Sequence, residues 1–282
     1  MSAERADGRP PARGGLTAVR TVLRGTTPVG EFFAARAGDS PYRPGELIAP
    51  GTVLERPVPA WTFPVIPEEP PIPFDYDVLH VDEDLIVVDK PHFLPTTSNG
   101  RIVRETVQTR LRRDFGEDVT PLHRLDRLTA GVVVCSRRPA TRGAYQRLFQ
   151  DRKVRKRYLA RTVTAVGQPT WRELSVPMRK QPGGRSVAVD DEGTMTVTRL
   201  RGAGTVVELE PLTGHTHQLR VLLAHLGASI VGDDVYPRDL GLKLRDYSSP
   251  LHLLAAGVEF ADPVDGRERV FTSLRGLPAN LD

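Results

Sequence analysis

The 282-residue chain holds little cysteine and no long apolar run, and each absence narrows what it can be. With Cys135 as its one thiol, it can form no internal disulfide and no cysteine-rich metal cluster. No uninterrupted apolar stretch is long enough to cross a bilayer, so no membrane partner is expected. The opening MSAERADGRPPARGG lacks the apolar segment of a secretory signal, which makes a reducing, cytoplasmic setting the expectation. Internal repeats, a P-loop and a dinucleotide fingerprint are also missing. What remains is an ordinary globular composition, 39% hydrophobic and 26% charged, enough for one large domain or one domain with a small appendage.

Charge and proline are unevenly placed. The net charge is only +4, yet residues 101–161 hold 17 Lys and Arg against 6 Asp and Glu. Such a segment is often a set of solvated helix faces. Its concentration also suits a polyanionic partner, because Lys and Arg on one surface release counterions from phosphates. Of the 25 prolines, 13 precede residue 76. The stretch PVPAWTFPVIPEEPPIP (57–73) is expected to hold neither a regular helix nor a central strand, since proline removes a backbone donor and extends its predecessor. It is therefore expected to be an extended linker. A short helix is expected within 16–33 and disorder over 1–15. Residues 1–75 accordingly form an N-terminal extension with a Pro-rich linker, a degenerate RNA-binding appendage being its functional alternative, and 76–282 form the main domain.

From Tyr76 the texture becomes regular. LHVDEDLIVVDKP predicts two strands around an acidic turn, and 101–115 predicts a helix with Val103, Val107 and Leu111 on one face. GVVVC (131–135) predicts an interior strand, Pro139 a helix start, and 158–166 another strand. Strands over 195–200 and 205–212 meet at a glycine turn. A helix over 216–226 follows, stopped by Gly227, and 253–260 is the last strand. Strands and helices do not alternate strictly, so an α+β class with a mixed sheet is expected.

Three residues stand out chemically. Asp126 lies between Arg124 and Arg127 in a polar loop just before a buried strand, where a rigid scaffold commonly holds reactive groups; alone, it would read as a surface ion pair. Arg220 falls near the start of its helix, where the macrodipole disfavours a cation, and a carboxylate is its simplest partner. Tyr158 directly follows the run Arg152-Lys153-Val154-Arg155-Lys156-Arg157, where a ring can pack in a core or stack on a nucleobase. His215 and His217, separated by one residue and without a nearby Cys or carboxylate ligand set, are a weak metal signal, so no metal is expected.

Together these segments resemble the RluA-type pseudouridine synthase family. HRLDRLTAG (123–131) is similar to its catalytic motif, KVRKRYLA (153–160) to its tyrosine motif, TGHTHQLR (213–220) to its TGRTHQLR motif, and VDKP (88–91) to an early Lys-Pro motif. The resemblance runs in family order over roughly 76–275. It implies a bent, largely antiparallel mixed sheet with peripheral helices and a central cleft. Asp126 takes the place of the catalytic aspartate, Tyr158 of the base-stacking tyrosine and Arg220 of the arginine that pairs with the aspartate. His123, Arg124, Arg127, Thr129, His215, His217, Gln218 and Leu254 are implied around the substrate, with Arg127 helping to hold opened RNA.

The implied reaction is uridine to pseudouridine in ribosomal or transfer RNA. It needs no redox step and no added atoms, hence no cofactor. Ala130, His215 and Leu254 depart from the usual serine, arginine and histidine. The first 75 residues do not clearly match the S4-type RNA-binding domain of some relatives, and a monomer is the default. Two rival readings are an RNA-binding scaffold whose chemistry is secondary, and a metal-dependent hydrolase using His215 and His217.

Overall fold

The computed structural model describes residues 6–66, 68–98 and 100–279. They form two compact units, Met1–Glu69 with Ser98–Glu117, and Pro70–Thr97 with Asp118–Asp282. This division differs from a single cut at residue 75, because 98–117 leaves the second unit to join the first. The basic segment 101–161 is consequently shared between two bodies.

In the first unit, β1 (Val19–Thr26), β2 (Phe32–Ala34), β3 (Leu47–Ile48) and β4 (Val53–Thr62) pair antiparallel in the order β1-β4-β2-β3. Leu23, Ala34, Ile48, Leu54, Val58 and Ala60 form its core. The helix expected within 16–33 is instead β1 and β2. β-Branched Val19, Thr21, Val22 and Thr26 prefer a pleated surface, and β4 supplies the partner. The Pro-rich stretch is also corrected, since β4 is a central strand. Pro57 falls where the register with β1 jumps between Leu23 and Gly25, so it interrupts no ladder pair. Pro59 needs only its carbonyl, which accepts Ala35 N–H at 2.9 Å.

Residues 1–5 lie outside the described residues. Residues 6–15 are tied down, with the Asp7 carbonyl accepting Trp61 Nε1–H and Arg36 N–H. Helix α1 (Val107–Phe115) begins later than the expected 101. The Glu69 carboxylate accepts the N–H groups of Val103, Arg104 and Glu105, and Thr106 caps the helix by accepting Thr109 N–H.

The second unit carries β5 (Asp77–Val81), β6 (Leu85–Lys90), β7 (Thr120–Pro121), β8 (Ala130–Ser136), α2 (Pro139–Gln150), β9 (Arg155–Arg161), β10 (Gln168–Lys180), β11 (Val187–Val189), β12 (Thr194–Gly202), β13 (Val206–Pro211), α3 (Gln218–His225), β14 (Leu253–Ala261) and β15 (Glu268–Thr272). Among the described residues the strands form one sheet ordered β11-β10-β12-β13-β9-β14-β8-β6-β5, with β15 on β14 and β7 on β8. The pairing of β14 with β8 is parallel and the others are antiparallel. The α+β class with a largely antiparallel mixed sheet is therefore observed. The 13-residue β10 has no clear alternation and is mostly exposed, so its sequence carries little period.

α2 buries Tyr145 against Leu85, Val87, Val132, Val134, Val258 and Phe260. α3 buries Leu219, Leu222 and Leu223 against Ala160, Leu200, Val207 and Leu209. Near the middle of the sheet, β8 runs beside β14 with Gly131 opposite Ala255. Gly131 has φ 115°, and a Cβ there would lie 2.2 Å from the Ala255 carbonyl oxygen, so only glycine fits.

Candidate active site

Asp126 sits in the loop between β7 and β8, and the preceding segment fixes that loop. Thr96 Oγ1 donates to the Leu125 carbonyl at 2.9 Å and accepts Leu125 N–H at 3.0 Å. The fully buried Lys90 donates Nζ to the carbonyls of Pro91, Leu94 and Arg127 at 2.9, 2.8 and 3.3 Å. Burial, opposed by the Asp126 charge, brings the Lys90 pKa down to about 7. His92 Nδ1 lies 2.6 Å from the Leu128 carbonyl, and burial lowers its pKa to about 4. The Lys-Pro motif thus acts as a buttress under the Asp126 loop.

Arg220 is 3% exposed in the first turn of α3. The carboxylate its position called for is present three times over. Asp233 takes a bidentate pair, from Nε at 2.8 Å and from Nη2 at 2.6 Å; Asp234 accepts from Nη2 at 2.8 Å. Asp126 Oδ2 lies farther off, 3.4 Å from Nη1. Burial works against the guanidinium charge, but Asp233, Asp126 and Asp234 outweigh it and raise the Arg220 pKa. Asp233 and Asp234, which no sequence reading singled out, are thus its nearer partners. An arginine at a helix start is the signal that could have prompted a search for them among nearby loops.

Tyr158 lies on β9 between Leu209 of β13 and Ala255 of β14. Burial, then the charge of Asp126, raises its hydroxyl pKa, so the phenol stays protonated. Asp126, Tyr158 and Arg220 line one cleft of about 900 Å³, with Arg124, Arg152, Lys156 and Lys180 also on its walls.

A model of the family described as RNA pseudouridylate synthase matches residues 84–225. This chain belongs to that family. Its RluA-type character agrees with a ribosomal large subunit pseudouridine synthase D of Xanthomonas campestris, 33% identical over 254 residues, 82% of this chain and 72% of that protein. A tRNA pseudouridine(31) synthase of Saccharomyces cerevisiae is 29% identical over 57% of this chain. The chain spans 46% of that yeast relative's length. The solved structure of human RNA pseudouridylate synthase domain containing 1 shares the fold, with a TM-score of 0.56 and 24% identity over 76% of this chain and 94% of that one.

The remaining family-motif residues separate into those at the cleft and those away from it. His123, Arg124, Thr129, His215 and His217 line it. His123 is half-buried and stacked on Phe149, and its Nε2 accepts Val134 N–H at 3.1 Å; desolvation lowers its pKa to about 3, so it is neutral. Gln218 borders the cleft, but its amide is spent on structure. Oε1 accepts Thr213 Oγ1–H and His215 N–H, while Nε2 donates to the Val197 carbonyl and Thr198 Oγ1.

Arg127 is not brought to the cleft. Its guanidinium donates to the Lys243 carbonyl at 3.2 Å and lies over the Phe93 ring. Leu254 is buried within the sheet between Leu159 and Ala130, and its neighbour Leu253 lines the cleft instead. His217 Nε2 faces Asp126 at 3.7 Å, and among the described residues no three His, Cys, Asp or Glu side chains are placed to hold a metal ion. Nor, among them, is any helix long and apolar enough to cross a membrane.

Proposed function

We propose that this protein isomerises uridine to pseudouridine in structured ribosomal or transfer RNA, with Asp126 as the reactive carboxylate. One observation carries the reading: Asp126, Tyr158 and Arg220, from three separate elements, share one cleft with cationic walls. The N1–C1′ bond of uridine must break, the uracil must turn, and C5 must bond to C1′ while a proton leaves C5 and the freed N1 gains one. An ionised carboxylate serves either as nucleophile at C1′ or by taking a sugar proton. Tyr158 stacks on the detached base, and its hydroxyl lies beside the C5 proton to be lost.

The target base must leave its stack to enter the cleft. Arg124, Arg152, Lys156 and Lys180 then bind the flanking phosphates, which makes binding fall with salt. The kinship with both a tRNA and a ribosomal RNA enzyme supports these two substrate classes. In the same reading the first unit is an RNA-binding appendage. It carries Arg9 over Trp61 and Arg13 over Phe33 and Phe63, the cation and ring pairs that single strands stack on.

The test is tritium release from C5-labelled uridine in total RNA, wild type beside Asp126→Ala, with transfer and ribosomal fractions assayed separately. Release that disappears in the variant is expected. Equal release from both proteins would remove Asp126 from the reaction, and none from the wild type in either fraction would refute the activity.

A further inference from the structure

His217 enters α3 in the left-handed region, at φ 56°, and its ring stands between Asp126 and Tyr236. Nε2 is 3.7 Å from Asp126 Oδ2, and Nδ1 is 3.0 Å from the Tyr236 hydroxyl. That hydroxyl already accepts the backbone N–H of Val187 at 2.8 Å. Its own proton must go elsewhere, and Nδ1 is the acceptor within reach. With Nδ1 accepting, the imidazole proton sits on Nε2 and points toward the carboxylate. The opposite tautomer would turn the Nε2 lone pair onto a carboxylate oxygen and strand the Tyr236 proton. Burial, partly offset by Asp126, also holds the His217 pKa below its ordinary value, so the ring is neutral near pH 7.

We propose that His217 is a positioning residue for Asp126, given Asp126 as the reactive carboxylate: the Tyr236 hydroxyl fixes the neutral Nε2–H tautomer, whose N–H faces Oδ2. Arg220 Nη1 approaches that same Oδ2 at 3.4 Å. Two cleft-wall N–H groups therefore face one oxygen, at 3.4 and 3.7 Å. Tyr236 does double service, since its ring also lies under the Arg220 guanidinium, 5.4 Å from the ring centre. A single side chain thus braces both groups that steer the carboxylate.

The experiment is nitrogen NMR of the full-length protein labelled with 15N-histidine, at neutral pH and without RNA. His217→Gln identifies the His217 signals among those of the seven histidines. The expected result is a protonated Nε2 and an unprotonated Nδ1. An Nδ1–H tautomer or an imidazolium overturns the proposal. Tyr236→Phe keeps the ring beneath Arg220 but frees the tautomer. It should mix the two forms and lower kcat in proportion to the Nε2–H form lost, with KM unchanged. An Nε2–H tautomer that stays unmixed in Tyr236→Phe also overturns it. His217→Gln, which retains an N–H donor, should stay more active than His217→Leu. Loss of turnover in the wild type itself would speak against the reaction, while the NMR result would still decide where the proton sits.

Discussion

Replacing Arg220 by alanine withdraws a guanidinium that three carboxylates share, and the contacts say how unequal the damage is. Asp233, with its side chain 1% exposed, loses a bidentate partner at 2.6 and 2.8 Å. Asp234 loses a contact at 2.8 Å, and Asp126, whose side chain is 35% exposed, loses one at 3.4 Å. Removing one partner of a buried ion pair costs about 3–5 kcal/mol. In a unit of this size each kcal/mol moves Tm by about 2–4 °C, so Arg220→Ala should melt about 6–20 °C lower.

Of the contacts to Arg220, Asp126→Asn breaks only the longest and most exposed, which is worth about 1 kcal/mol or less, or under about 4 °C. The two halves of the Asp126–Arg220 pair should therefore differ widely in scanning calorimetry, although both changes should cripple turnover. The gap should narrow in acid. Burial opposes ionisation of Asp234, but Arg185 and Arg220 together hold its pKa below 3.8. The stability it contributes is full above the unfolded value and is lost as pH falls through the lower folded one. An Arg220→Ala protein melting within about 4 °C of wild type would refute this account of the cluster.

Other substitutions probe the remaining supports. Tyr158→Phe should lower turnover by about 10²- to 10⁴-fold in the tritium assay while circular dichroism and Tm stay near wild type. Lys90→Met should remove a pH dependence. Because burial lowers the folded Lys90 pKa from 10.5 to about 7, the unfolded chain binds the extra proton between those values, and wild-type stability rises with pH across that window. The wild-type Tm minus the Lys90→Met Tm should thus increase from pH 6.5 to pH 9, and a flat difference would contradict the assignment. Gly131→Ala should leave little soluble protein, since its Cβ would press into the Ala255 backbone at a φ that alanine avoids.

The site was more legible than its surroundings. Asp126 before an all-apolar strand, and a cation at a helix start, are local patterns whose physical oddness is visible in the residues themselves. Asp233 and Asp234 lie in a loop without period, where charged residues ordinarily face water, so nothing local marked Asp233 as buried or Asp234 as half-buried. The same limit hid the role of Arg127, because flanking position in a loop does not fix which way a long side chain turns. For Leu253 and Leu254 the strand was foreseen, yet alternation alone leaves open which of two leucines faces the cleft. The first unit was missed for a different reason. Pro57 and Pro59 argue against a central strand unless a register jump and a carbonyl-only contact absorb them, and both are tertiary facts. Likewise Val107 and Leu111 announce a buried helical face without naming the body that buries it.

The excursion of residues 98–117 into the first unit bears on how the chain responds to a protease. The backbone passes between the units after Glu69, after Thr97 and again after Glu117. A nick between Glu69 and Pro70 therefore severs the chain without freeing its N-terminal piece. That piece still holds 98–117 through Ala12 N–H on the Glu117 carboxylate, through Gly15 packed on the Thr109 carbonyl, and through Glu69 on the N–H groups of Val103 to Glu105. The two fragments should co-elute in native buffer and part only in denaturant, so limited digestion judged on a native column would report an intact molecule.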